Sequence, residues 1–141
     1  MNKKILVFGT FDGLHEGHKN FFKQAREFGE HLTVVVGRDS TVLKTKGKLP
    51  KFNEEDRLKT VKECELVTEA RLGNQAPVGE KLDPYKVVEE IKPDIICLGY
   101  DQTFFADKLV EELPKRGLEH IEIKRLEAFE PEKYKSSILN R

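Results

Sequence analysis

The run Ile5-Leu6-Val7-Phe8-Gly9-Thr10-Phe11-Asp12-Gly13-Leu14-His15-Glu16-Gly17-His18 constrains the fold more than any other stretch. It reads as a short apolar strand, a glycine-punctuated turn and the opening of a helix that continues through Lys19-Asn20-Phe21-Phe22-Lys23-Gln24-Ala25. A strand that turns straight into a helix builds an anion site. The first helical turn leaves N–H groups without intrahelical partners, and the helix dipole makes that end partly positive. His15 and His18, three residues apart, are placed in that first turn on one face. Gly17 between them carries no side chain, so a phosphate can approach the backbone there.

Beyond this stretch, apolar runs alternate with helical patterns. That alternation predicts an α/β class: a single Rossmann-like domain over residues 1–141, with a five-stranded, mostly parallel sheet and helices on both faces. A helix is expected from about Glu16 to Phe28, with Phe21, Phe22, Ala25 and Phe28 inward and Gly29 as its stop. Leu32 to Gly37 reads as a buried strand, after which Asp39 or Ser40 caps a short helix. Lys44 to Lys51 is expected to be a basic loop. Asn53 caps a helix over Glu54–Cys64, with Asp56 at its third position. Strands follow at Leu66–Leu72, Asp94–Gln102 and about His120–Leu126. Helices follow at Tyr85–Ile91 and Thr103–Arg116, the latter with Phe104, Phe105, Leu109, Val110 and Leu113 along it.

Lys plus Arg and Asp plus Glu balance at 25 each, so no general affinity for nucleic acid or a membrane surface is expected and any basic site must be local. The four lysines Lys44, Lys46, Lys48 and Lys51 are such a local concentration, beside the exit of the second strand. No run approaches the ~20 apolar residues of a bilayer span, and the apolar run after Met1–Lys4 is too short for a signal peptide. A cytoplasmic protein with reduced Cys64 and Cys97 is expected, and neither cysteine has metal-ligand or redox-pair spacing.

The decamer GTFDGLHEGH resembles the signature of nucleotidyltransferases of the cytidylyltransferase type, whose H-x-G-H element binds a nucleotide triphosphate. A second element, L-G-Y-D-Q at Leu98–Gln102, is similar to the archaeal-type FAD synthases, which transfer AMP from ATP to FMN. A third, Ser136-Ser137-Ile138-Leu139, resembles the S-[ST]-x-[IL] element with which the family closes its site. Asn140 stands where the family's tail carries a basic residue, followed by Arg141.

The resemblance implies roles for particular residues. His15, His18, Lys44 and Arg125 are the catalytic candidates. Gly9, Thr10, Phe11, Gly17, Lys46, Asp101, Ser136 and Ser137 are the nucleotide-binding ones, and Asp12, Asp39, Arg57, Gly99 and Tyr134 are further candidates. Arg57 occupies the place of a helix arginine that helps hold the family's site; on the residues alone a solvent-facing arginine fits as well. The implied reaction is direct nucleotidyl transfer with release of pyrophosphate, which needs positioning and charge stabilisation rather than a covalent intermediate. Mg²⁺ is expected to arrive with the nucleotide, with no protein ligand named by the sequence. ATP with FMN is the favoured substrate pair. CTP with glycerol 3-phosphate or a similar ester is the alternative, and a non-catalytic nucleotide-binding module is the reading of another class. A homodimer is implied by the resemblance alone.

Overall fold

The computed structural model describes residues 3–74, 83, 85–99 and 103–126, without the side chains of 45, 46 and 103–106. The elements run β1 (Lys4–Gly9), α1 (Glu16–Arg26), β2 (His31–Val36), α2 (Asp39–Lys46), α3 (Glu54–Lys62), β3 (Glu69–Leu72), α4 (Lys86–Ile91), β4 (Ile95–Leu98), α5 (Thr103–Lys115) and β5 (Glu122–Arg125). The strands form one sheet in the order β3-β2-β1-β4-β5. Every pairing is parallel, where the sequence predicts mostly parallel.

Alternation along β1 sends side chains to two cores. Ile5 and Val7 join Leu32, Val34 and Val36 beneath Phe22 and Ala25 of α1 and Val61 of α3. Leu6 joins Val35, Ile96 and Leu98 beneath Val87 and Val88 of α4 and Leu109 and Leu113 of α5. A strand buried on both faces must read as a continuous apolar run, and the interior strands do. The edge strands β3 and β5 instead carry Glu69, Arg71, Glu122, Lys124 and Arg125, charges that oppose pairing with another chain. Cys97 lies in the interior strand β4, where burial pushes its thiol up to about 12.

The order places β2 and β3 on one side of β1 and β4 and β5 on the other. Helices α1 and α5, which follow β1 and β4, therefore pack on opposite faces of the sheet, and the carboxyl ends of these two neighbouring strands are its switch point, the usual ligand position in such sheets.

Several boundaries differ from the sequence reading. Helix α1 ends at Arg26, before Gly29, and Gly29 instead admits a close backbone approach: a Cβ there would lie 2.5 Å from the Lys3 carbonyl oxygen. Neither Asp39 nor Ser40 caps α2; Arg38 holds the cap position, makes no side-chain cap bond, and Asp39 is the first helical residue. Lys44 and Lys46 belong to the last turn of α2, not to a loop, and Gly47 ends that helix at φ 79°, a conformation that favours glycine. The cap on α3 is as expected, with the Asn53 side chain accepting from the Asp56 N–H at 2.8 Å, though the helix ends at Lys62. The predicted strands at Leu66, Asp94 and His120 begin late, at Glu69, Ile95 and Glu122; β4 ends at Leu98 and β5 at Arg125. Helix α4 starts at Lys86 with Tyr85 as its cap, and α5 ends at Lys115. On α5, Leu109 and Leu113 are buried but Val110 is 61% exposed, so it does not belong to the inner face.

Candidate active site

The loop from Gly9 to Leu14 is shaped by a ring folded under it. Phe11 adopts φ 53°, unusual for a bulky residue, and its side chain is buried against Phe22 and His18, each with ring centroids at 5.3 Å. A Cβ on Gly9 would lie 2.5 Å from Phe11 Cζ, so only glycine at that position admits the ring. The loop closes on itself through Gly13 N–H to the Phe11 carbonyl at 2.9 Å, with Gly13 at φ 93°. The Gly9 carbonyl accepts from the Gly37 N–H at 2.9 Å, tying the exits of β1 and β2 together.

The two histidines are not both in the first turn. His15 is the residue before the helix, in extended conformation, and His18 is its third residue. They form a capping box: His15 Nδ1 accepts from the Gly17 N–H at 3.0 Å and His18 Nδ1 accepts from the His15 N–H at 3.3 Å. The rings stack at a centroid separation of 4.0 Å. With both Nδ1 atoms accepting, each neutral ring carries its proton on Nε2. Burial, then the neighbouring His15, lower the His18 pKa from 6.5 to about 4, against a smaller opposing effect of its hydrogen bond to the Gly13 backbone. His18 is therefore neutral at pH 7. The box turns the Gly17 and His18 amides toward the His15 ring, so the Glu16 amide is the first-turn donor left for a ligand among the described residues.

Behind this loop lies a charged network that the sequence does not disclose. Arg57 is buried, at 1% exposure, and donates to three elements of the structure. Nη1 reaches the Thr10 carbonyl at 2.8 Å, Nε the Phe52 carbonyl at 2.9 Å and Nη2 Asp39 Oδ1 at 2.7 Å. The solvent-facing reading of Arg57 is thereby excluded. Asp39 and Glu54 cap each other's helices, Asp39 N–H donating to Glu54 Oε1 at 2.8 Å and Glu54 N–H to Asp39 Oδ2 at 3.2 Å. Arg38 completes the set, donating to Glu54 Oε2 at 3.2 Å and the Gly73 carbonyl at 2.6 Å.

Asp12 reaches in the other direction. Its carboxylate accepts from the Lys51 N–H at 2.6 Å and the Phe52 N–H at 2.8 Å. Desolvation works against its ionisation, but these two amides, with the charges of Arg57 and Lys51, outweigh it and hold the carboxyl below the usual carboxylate range. Lys44 is exposed on α2, and Arg125 at the end of β5 donates to the Gly99 carbonyl at 3.2 Å, just past the carboxyl end of β4. Asp101, Tyr134, Ser136, Ser137 and the side chain of Lys46 lie outside the described residues.

The cytidylyltransferase-like family profile matches residues 6–141. The chain belongs to that family. A FAD synthase of Methanosarcina barkeri is 47% identical over 115 residues, 82% of this chain and 77% of the relative. A FAD synthase of Thermoplasma volcanium is 37% identical over 138 residues, 98% of this chain and 92% of the relative. The crystal structure of a protein described as a lipopolysaccharide core biosynthesis protein, also from Thermoplasma volcanium, superposes with a TM-score of 0.80 at 39% identity, covering 91% of this chain and 98% of that one.

Of the candidate site, the described residues bring together the two histidines, the start of α1, the loop that leads into it and the buried arginine behind that loop. Glu54, Arg38 and the Lys51–Phe52 amides escape the sequence reading. The one available signal is the acidic first turn of α3, which reads equally as a response to the helix dipole.

Proposed function

We propose that this chain is an FMN adenylyltransferase, transferring AMP from ATP to FMN to give FAD and pyrophosphate. The relatives named FAD synthase, at 37–47% identity, support the choice of substrates, as does the L-G-Y-D-Q motif. In the reaction a phosphate oxygen of FMN attacks the α-phosphorus of ATP in line. The bond from that phosphorus to the bridging oxygen breaks, and pyrophosphate leaves with the electron pair. An FMN phosphate is already an oxyanion, so the enzyme has no proton to remove. It has charge to stabilise.

The observation that carries this reading is the histidine capping box. Both Nδ1 atoms are occupied by backbone N–H groups, so each neutral ring donates only through Nε2 and neither is set up as a base; in the free protein His18 directs that donor to the Gly13 backbone. His15 is exposed and offers its Nε2–H to a phosphate directly. His18 is neutral, and a phosphate brought against it raises its pKa, so its positive character grows where negative charge develops. The Glu16 amide and the α1 dipole add a fixed donor and a fixed field at the same place. Gly9, Thr10 and Phe11 act through their backbone, with the Phe11 ring committed to the core. Lys44 and Lys46 hold the β- and γ-phosphates, Arg125 and Asp101 act from the β4–β5 side, Ser136 and Ser137 close on the triphosphate, and Tyr134 is a flavin contact.

Among the described residues no group of three or more His, Cys, Asp or Glu side chains is arranged to hold a metal. Mg²⁺ is expected to arrive on the triphosphate, held by phosphate oxygens and water, where it would supply charge neutralisation. The chain is expected to work as a homodimer, which sedimentation would test. Among the described residues no helix is long and apolar enough to cross a membrane.

The test is pyrophosphate release with Mg²⁺, crossing ATP and CTP against FMN, glycerol 3-phosphate and phosphoethanolamine. Release confined to ATP with FMN supports the proposal. Release with CTP and a small phosphate ester overturns it in favour of a cytidylyltransferase.

A further inference from the structure

The segment between α2 and α3, residues 47–53, is held to the rest of the protein in an unusual way. It carries Lys48 and Lys51, and its apolar residues do not anchor it: Leu49 is 60% exposed and Phe52 45% exposed. Burial therefore contributes little to fixing its place. Hydrogen bonds fix it instead, and two of them converge on one residue. The Phe52 N–H goes to Asp12 Oδ1 and the preceding Lys51 N–H to Asp12 Oδ2, while the Phe52 carbonyl accepts from Arg57 Nε. The Phe52 ring packs beside Gly13, where a Cβ would sit 3.5 Å from Cε2. Asp12 and Gly13 belong to the loop that leads into His15.

We propose that Asp12 is a positioning residue: its carboxylate latches the segment that carries Lys48 and Lys51 onto the histidine-bearing loop and so sets the distance between those lysines and the two histidines. The latch rests on the adenylyltransferase reading for its consequence, not for its geometry. The position of Asp12 in GTFDGLHEGH invites a different role, contact with the nucleotide or its Mg²⁺. The structure shows instead a backbone amide on each carboxylate oxygen, and the Mg²⁺ dependence measured below separates the two roles. A misplacement of catalytic groups by about 1 Å costs on the order of a hundredfold in rate. The latch, together with the bond from Arg57 Nε to the Phe52 carbonyl, prevents such a misplacement.

The test compares Asp12→Ala and Asp12→Asn with the unmodified protein. Asparagine keeps one acceptor oxygen and turns an NH₂ toward the other amide, so it breaks half the latch. In the free protein, exchange of the Lys51 and Phe52 amides is expected to rise at least about tenfold in the alanine variant and less in the asparagine variant. In turnover, kcat is expected to fall about ten- to a hundredfold with KM for ATP within about threefold and the Mg²⁺ dependence unchanged. In a Lys48→Ala, Lys51→Ala background, Asp12→Ala is expected to cost much less than it does alone, since the lysine side chains it positions are gone. Unchanged exchange at Lys51 and Phe52, or a Mg²⁺ requirement shifted in step with the loss of activity, overturns the proposal. Should the unmodified protein prefer another substrate pair, the adenylyltransferase reading fails, while the exchange experiment and the kinetics on that pair still decide the latch.

Discussion

Replacing Arg57 by methionine keeps an unbranched side chain of similar length and removes only the guanidinium. Three hydrogen bonds disappear, to the Thr10 carbonyl, the Phe52 carbonyl and Asp39 Oδ1. The Arg57 side chain is fully shielded and that of Asp39 is 29% exposed, so the pair sits closer to a buried than to a surface ion pair. Breaking a buried pair from one side costs about 3–5 kcal/mol, because the remaining charge and carbonyls keep their desolvation cost without a partner. Partial hydration of Asp39 and its retained bond from the Glu54 amide pull the expectation to about 3–4 kcal/mol. For a chain of 141 residues this corresponds to a melting temperature about 10 °C lower. Thermal unfolding followed by circular dichroism, with urea titration for the free energy, measures it. Asp39→Asn and the double variant complete a cycle, in which the two changes should be strongly non-additive. An Arg57→Met protein within about 1 kcal/mol of the original would refute the claim that this arginine ties the β1 loop to α2 and α3.

Stability should depend on pH through His18. The unfolded chain takes up this proton near pH 6.5 and the folded chain only near pH 4, so the contribution of neutral His18 is complete above pH 6.5 and is lost as pH falls toward 4. Allowing for partial exposure of the ring, the loss is about 2 kcal/mol, and His18→Asn should flatten urea-midpoint curves over that range; a His18 resonance titrating near 6.5 would contradict it. Gly9→Ala places a methyl group against the buried Phe11 ring and should cost about 1–3 kcal/mol, together with activity, since Phe11 supports His18 edge-on. Unchanged melting in that variant would mean the ring has room to move.

What is legible in the sequence is local. The β1–loop–α1 unit reads correctly because an apolar run, glycines and the helix pattern lie within about twenty residues of one another and obey short-range rules. The Asn53 cap is legible for the same reason. Arg57 is not, since an arginine in a helix is ordinarily solvated and its partners Thr10, Asp39 and Phe52 belong to three separate segments. His15 reads as part of the first turn because a histidine at the cap lies outside the usual Ser, Thr, Asp and Asn set, and only the geometry shows its ring accepting from Gly17. Gly29 reads as a helix stop, whereas its missing side chain serves a backbone crossing with Lys3, a long-range contact that no local rule reports.

The most direct measurement is FAD formation itself. Purified protein with ATP, FMN and Mg²⁺ should convert flavin to FAD, identified by chromatography and mass, with one pyrophosphate per FAD, and His15→Ala should lower the rate at least about a hundredfold while the fold survives. FMN returned unchanged by the unmodified protein, or His15→Ala turning over at the original rate, would contradict the account.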